Sequence, residues 1–167
     1  MNGVSFDLIL VHGLVLSFGL SFIVLGGMTL NPRLMLTDYP PEVQAHLPPM
    51  TAPEKTQQRI MGVFFFVFAL GLLLYSNAQL VARSGERFFL PLFVNTYLVF
   101  VVANLFDLMV LDYLILIVLK PKFLFVPGAE ALEQYNTFTY HFKGFLKGMV
   151  YGIVVSLVVA LVSTIIL

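Results

Sequence analysis

Cysteine is absent from this chain, and with it disulfides, thiolate metal ligands and cysteine nucleophiles. Charge is scarce. Only 11% of residues are charged, against about 25% in an ordinary soluble domain. Nine basic residues balance nine acidic ones, so no global basic field exists to attract nucleic acid. Nor is there a Walker-type glycine loop, a dinucleotide glycine fingerprint or an H-E-x-x-H pair. Tandem repeats, low-complexity tails and heptads are missing as well. A paired-histidine haem site is unsupported, since only His12 and His141 could approach a span, and from opposite sides. No cofactor and no metal site are expected.

What is present is apolar. Residues of hydrophobic type make up 59% of the chain, far more than a soluble fold could cover. The 167 residues suffice for one domain, read here as a single integral membrane unit over 1–167. A membrane-spanning helix needs about 20 largely apolar residues. Four runs qualify, at 8–30, 60–81, 94–119 and 145–167. The first has Asp7 where a signal peptide carries basic residues, and its apolar run is too long for an h-region, so it reads as a retained helix. The fold class expected is all-α: a four-helix transmembrane bundle with long loops after the first and third helices.

The connections differ in character. The first long loop holds Pro32, Pro40, Pro41, Pro48, Pro49 and Pro53. Proline fixes φ and removes a donor, so the segment reads as irregular, with room for one short helix after Pro41. Thr51 and Glu54 have capping-box spacing, which would start the second span a turn or two before the membrane. Arg33, Lys55, Arg59, Lys120, Lys122, Lys143 and Lys147 fall on the side of the two long loops; only Arg83 and Arg87 fall on the other. The positive-inside rule then puts both long loops in the cytoplasm and both termini outside, in a cell (inner or plasma) membrane.

The polar residues inside the spans carry the functional question. Asn104, Asp107 and Asp112 lie within an apolar run, where ionisable groups are functional-site hypotheses by default. Asp107 falls near the midplane and Asp112 roughly 10 Å from the cytoplasmic end, at about 1.5 Å per residue. On a regular helix the two are about 140° apart, so they face different neighbours or flank one crevice rather than form a dyad. Ser17, Ser21, Tyr75, Tyr151 and Ser156 lie within reach by depth, and no lysine or arginine does. Asp107 is therefore expected neutral, or ionised only beside a bound cation or a water-filled cavity. The bland alternative makes it interhelical glue. Near the outer interface, His12, Asn77 and Asn95 either tie three helices together or are wetted by headgroup water.

The last span carries a packing signal. Gly144, Gly148, Gly152, Ser156, Ala160 and Thr164 recur every fourth residue, which lets another backbone approach closely. Its target is either the third span or the same helix in a second copy. Gly13, Ser17 and Ser21 form a shorter version on the first span. In the third loop, Glu130, Glu133, Tyr135, Tyr140, His141, Lys143 and Lys147 read as interfacial anchors. The sharper alternative is a cytoplasmic-face site combining His141, Glu130 and Asp112.

Asn31-Pro32-Arg33, Asp38-Tyr39-Pro40, the Asn104, Asp107 and Asp112 set, Pro127-Gly128-x-Glu130 and Tyr140-His141-Phe142 resemble a family of small multi-span prokaryotic membrane proteins. That family is uncharacterised. The resemblance implies the four-helix arrangement and no activity. Three functions stay open. The first is a non-enzymatic accessory or assembly protein, with the bilayer and a membrane protein or second copy as partners through the fourth span. The second is a proton- or cation-coupled transport component using Asp107 and Asp112. The third is an enzyme acting on a lipid-like substrate at the cytoplasmic face. A separation beyond about 10 Å between His141 and Asp112 would make the third implausible.

Overall fold

The computed structural model describes residues 5–85, 87–128 and 137–167. Among them, four helices are long and apolar enough to cross a membrane: α1 (Phe6–Leu30), α3 (Ala52–Ser84), Phe89–Leu119 and α5 (Phe138–Ile166). The protein is an all-α four-helix bundle. The Phe89–Leu119 helix has two parts, an α-helical α4 (Phe89–Phe106) and a π-helical continuation, Asp107–Leu119. A short helix, α2 (Pro41–His46), lies in the first connection. The end where α1 finishes and α3 begins is called the loop end; the other, where α1 begins and α5 finishes, is called the hairpin end.

Helix boundaries follow local chemistry. At α3 the Thr51 hydroxyl accepts from the Glu54 N–H, while the Glu54 carboxylate accepts from the Thr51 N–H at 2.7 Å. This reciprocal cap starts the helix before its apolar run begins. Gly85, at φ 73°, stops it in the left-handed region that costs glycine nothing. The third membrane-length helix begins at Phe89, ahead of the 94 expected, because Pro91 falls in the first turn, where its missing N–H satisfies no helical bond.

α4 sits between α1 and α5. The shared core is Ile9, Leu16, Leu73, Val99, Ala103 and Val159, with a smaller cluster of Leu80, Leu92 and Ala160 nearer the hairpin end. The small-residue stripe of α5 is directed at α4 of the same chain. A Cβ on Gly148 would come within 2.5 Å of Asn104 Oδ1, and one on Gly152 within 2.5 Å of Phe100. Ser156 and Ala160 are wholly buried. Gly144 departs from this pattern: nothing lies within 4 Å of its would-be Cβ. It precedes the crossing with α4, so the contact of the stripe with α4 begins at Gly148.

The first long connection is a tied cover. Arg33 pairs with Glu54 at 2.7 Å and donates to the carbonyls of Pro48 and Pro49. Gln44 donates to the carbonyls of Thr37 and Tyr39, and Gln58 to that of Leu34. Val43 of α2 packs on Val126, joining this connection to the next one.

Candidate functional site

The π segment decides where the aspartates go. It runs through Asp107–Leu119 and closes with Lys120 N–H on the Ile115 carbonyl, five residues back, at 2.9 Å. Lys120 itself takes φ 45°, turning the chain into Pro121. A π-helix has about 4.4 residues per turn, so residues five apart lie only about 50° from each other around its axis. The 140° separation expected for Asp107 and Asp112 assumed a regular α-helix. Of the two arrangements expected, different neighbours or one shared crevice, the second is found: both line one cavity.

That cavity has a volume of about 430 Å³ and lies between the helices toward the loop end. Its deep wall is apolar, with Leu16, Leu20, Ala69, Leu73, Phe100 and Val155. Its loop-end wall carries Asp38, Asp107, Asp112, Tyr140 and His141. Two wall residues of α3, Phe66 and Leu70, are also 62% and 40% exposed, so this side faces the surroundings of the bundle.

Asp112 and His141 meet across the cavity rim. His141 Nδ1 lies 2.9 Å from Asp112 Oδ1, and both side chains are mostly buried. A carboxylate on Nδ1 fixes the ring orientation and makes Nε2 the other proton-handling atom. Asp107 and Asp38 keep accessible surface within the same cavity. Protein packed around the Asp38 carboxyl on its other sides desolvates it and pushes its pKa up. Its backbone carbonyl accepts from the Tyr140 hydroxyl at 2.8 Å, which clips the first connection to α5. Asn104 also lines the cavity and donates from Nδ2 to the Phe145 carbonyl at 3.1 Å.

The other candidates from the sequence are distributed differently. Ser17 and Ser21 line the cavity, but their hydroxyls donate to Gly13 and Ser17 carbonyls on their own helix. Tyr75 and Tyr151 do not belong to this polar centre. They are 53% and 65% exposed, on outward faces of α3 and α5, and neither lines the cavity. Tyr75 lies level with the first-span histidine, its ring 5.5 Å from that of His12, and both tyrosines face outward. Ser156 is wholly buried outside the cavity wall, and its hydroxyl has no hydrogen-bond partner. Glu130 lies outside the described residues. Asp38 was missed as a site residue. The signal for it was its place in the Asp38-Tyr39-Pro40 motif at the end of a proline-rich loop.

A second polar layer lies near the hairpin end. Asn77 Nδ2 donates to Ser163 Oγ at 2.9 Å, and Asn77 Oδ1 accepts from Asn95 at 3.0 Å and Thr96 at 3.2 Å. Asn95 also donates to Ser76 Oγ, which lies 3.0 Å from His12 Nδ1. Ser76, Asn77, Asn95, Thr96 and Ser163 are wholly buried. The layer therefore ties α1, α3, α4 and α5 together, one helix more than expected.

Among the described residues, no group of three His, Asp or Glu side chains is placed to hold a metal ion. No family model matches the chain, and neither a curated protein nor a solved structure matches it.

Proposed function

We propose that this protein is a multi-pass membrane enzyme that takes up a lipid-like amphiphile and works on its polar head at the cytoplasmic face. The observation that carries this reading is the Asp112–His141 pair, at 2.9 Å, on the polar rim of an otherwise apolar cavity of about 430 Å³. Ligand cavities typically measure about 300–1,000 Å³ and combine apolar walls with a few convergent polar groups. An acyl or prenyl chain fits the Leu16, Leu73 and Phe100 region, and its head then meets Asp107, Asp112 and His141. His141 would transfer the proton, with Asp112 holding the ring. The exposed α3 side of the wall supports loading from the bilayer. The excess of basic residues beside the long connections, seven against two, supports a cytoplasmic loop end.

Proton- or cation-coupled transport is the second reading, favoured by the shared exposure of Asp107 and Asp112 to one cavity. An assembly role through the fourth span has less support, because α4 covers Gly148 and Gly152 of that stripe.

The test is direct. Purified protein is incubated with a total lipid extract of its own membranes, and lipid species are compared by mass spectrometry before and after. Wild type should bind and convert one amphiphile class. His141→Asn should bind it without conversion, and Ala69→Phe, which fills the apolar end, should not bind it. No bound class, or equal conversion by His141→Asn, overturns the proposal.

A further inference from the structure

We propose that the head group this cavity selects is a cationic amine, so that the ligand is a long-chain amphiphile carrying one positive charge. The inference rests on the amphiphile-site reading above and adds the chemistry of the head. Three carboxylates from two segments, Asp38 of the first connection and Asp107 and Asp112 of the π segment, converge on the loop-end wall. Opposite them stands one histidine, His141, already paired with Asp112. None of the nine lysines and arginines lines the cavity; Arg33, at the cover, is engaged by Glu54 and the Pro48 and Pro49 carbonyls. Asp38 and Asp107 are thus the surplus negative charge, and both keep surface in the cavity.

Charge in an apolar wall is costly unless paired. An ammonium head supplies the missing counter-charge and up to three N–H donors to groups that can only accept once ionised. A phosphate or carboxylate head would face three carboxylates with no arginine or lysine to hold it, and like charges in such surroundings repel strongly. A neutral alcohol could hydrogen-bond but would leave the surplus charge unmatched. The apolar wall admits the chain of any of these molecules equally, so the carboxylates choose among heads.

The experiment uses full-length protein in a neutral maltoside detergent and an equimolar mixture of hexadecylamine, hexadecanol, palmitate and hexadecyl phosphate. Native mass spectrometry reads which adducts are retained. Hexadecylamine should exceed palmitate and hexadecyl phosphate by at least about tenfold, the ratio expected from one net charge pair. The Asp38→Asn/Asp107→Asn double variant should bring that ratio near unity while still retaining hexadecanol. Retention of palmitate or hexadecyl phosphate equal to that of the amine overturns the head-group inference and leaves the amphiphile site standing. An undiminished amine preference in the double variant overturns it too, because the preference then arises outside these carboxylates. Retention of none of the four overturns the underlying site as well.

Discussion

Removing the Asn77 side chain tests whether the polar layer near the hairpin end holds the bundle shut. Asn77 is wholly buried and makes three hydrogen bonds to other helices: one to Ser163 of α5, and one each from Asn95 and Thr96 of α4. In Asn77→Ala none of the three partners is orphaned. Asn95 keeps Ser76, Thr96 keeps the Leu92 carbonyl and Ser163 keeps the Val159 carbonyl. The loss is therefore that of the bonds themselves, at about 0.6 kcal/mol each between membrane helices, or about 2 kcal/mol. Incomplete closure of the void left by the amide raises this to about 3 kcal/mol. Unfolding in mixed micelles, titrated with dodecyl sulfate and followed by far-UV circular dichroism, reads the difference. Thr164→Ala is the control: its hydroxyl bonds only the Ala160 carbonyl one turn back, and its loss should cost under about 0.5 kcal/mol. If Asn77→Ala costs no more than Thr164→Ala, these amides are wetted interfacial groups and do not clamp the helices.

The stripe on α5 gives a paired test by the same titration. Gly152→Ala puts a methyl 2.5 Å from the Phe100 ring and should cost about 1–3 kcal/mol, whereas Gly144→Ala meets nothing within 4 Å and should cost under about 0.5 kcal/mol. Equal effects would mean that the stripe does not face α4. Asp38 gives a pH test. Its folded pKa lies above the ordinary 3.8, because burial disfavours the charged form. Stability is then fully present below that value and is lost as pH rises through the folded pKa. Asp38→Asn should match wild type in acid and become the more stable protein toward neutral pH. The two proteins differ only at position 38, so a difference that stays flat with pH refutes the assignment. Finally, the cysteine-free chain suits thiol mapping. Single cysteines at Ala45 and Lys122 should react from one side of the membrane and one at Arg87 from the other, the last alone from outside intact cells. Labelling of Ala45→Cys from outside would reverse the orientation.

The membrane-length helices were legible because composition and length report them directly, and the α3 cap because Thr51 and Glu54 show their spacing. The α5 stripe was legible as a contact surface, but two targets fitted it; only the approach to Asn104 and Phe100 selects α4. Depth along a helix could be counted, so His12, Asn77 and Asn95 were placed together correctly. Azimuth could not be counted with the same security. Tyr75 and Tyr151 turn outward, and Asp107 and Asp112 were phased on a helix type the chain does not adopt. No residue in Asp107–Leu119 announces a π-helix, since the five-residue hydrogen-bond pattern arises from packing and leaves no periodic mark in a run that is apolar all round. Asp38 was hidden for another reason. It is distant in sequence from the spans and reaches the cavity only because Tyr140, Arg33 and Gln44 hold its loop over the bundle.

The π segment and the hairpin-end layer do opposite work, and the cavity needs both. Polar ties from Ser76, Asn77, Asn95 and Ser163 bring α3, α4 and α5 to close contact at one end. Toward the other end the wider π turn rotates two aspartates inward, and α3 and α5 stand on either side of open volume. An α-helical third span would hold the same residues at similar depth, yet it would turn one aspartate away and leave His141 or Asp107 facing a different partner. A π-helix is rare, and where it occurs it is frequently at a functional site. Here its effect is specific: it turns two carboxylates spaced for opposite sides of a helix into one acidic wall. The chain thus gives up regular helix geometry at the very residues that a purely structural bundle would have no reason to place together.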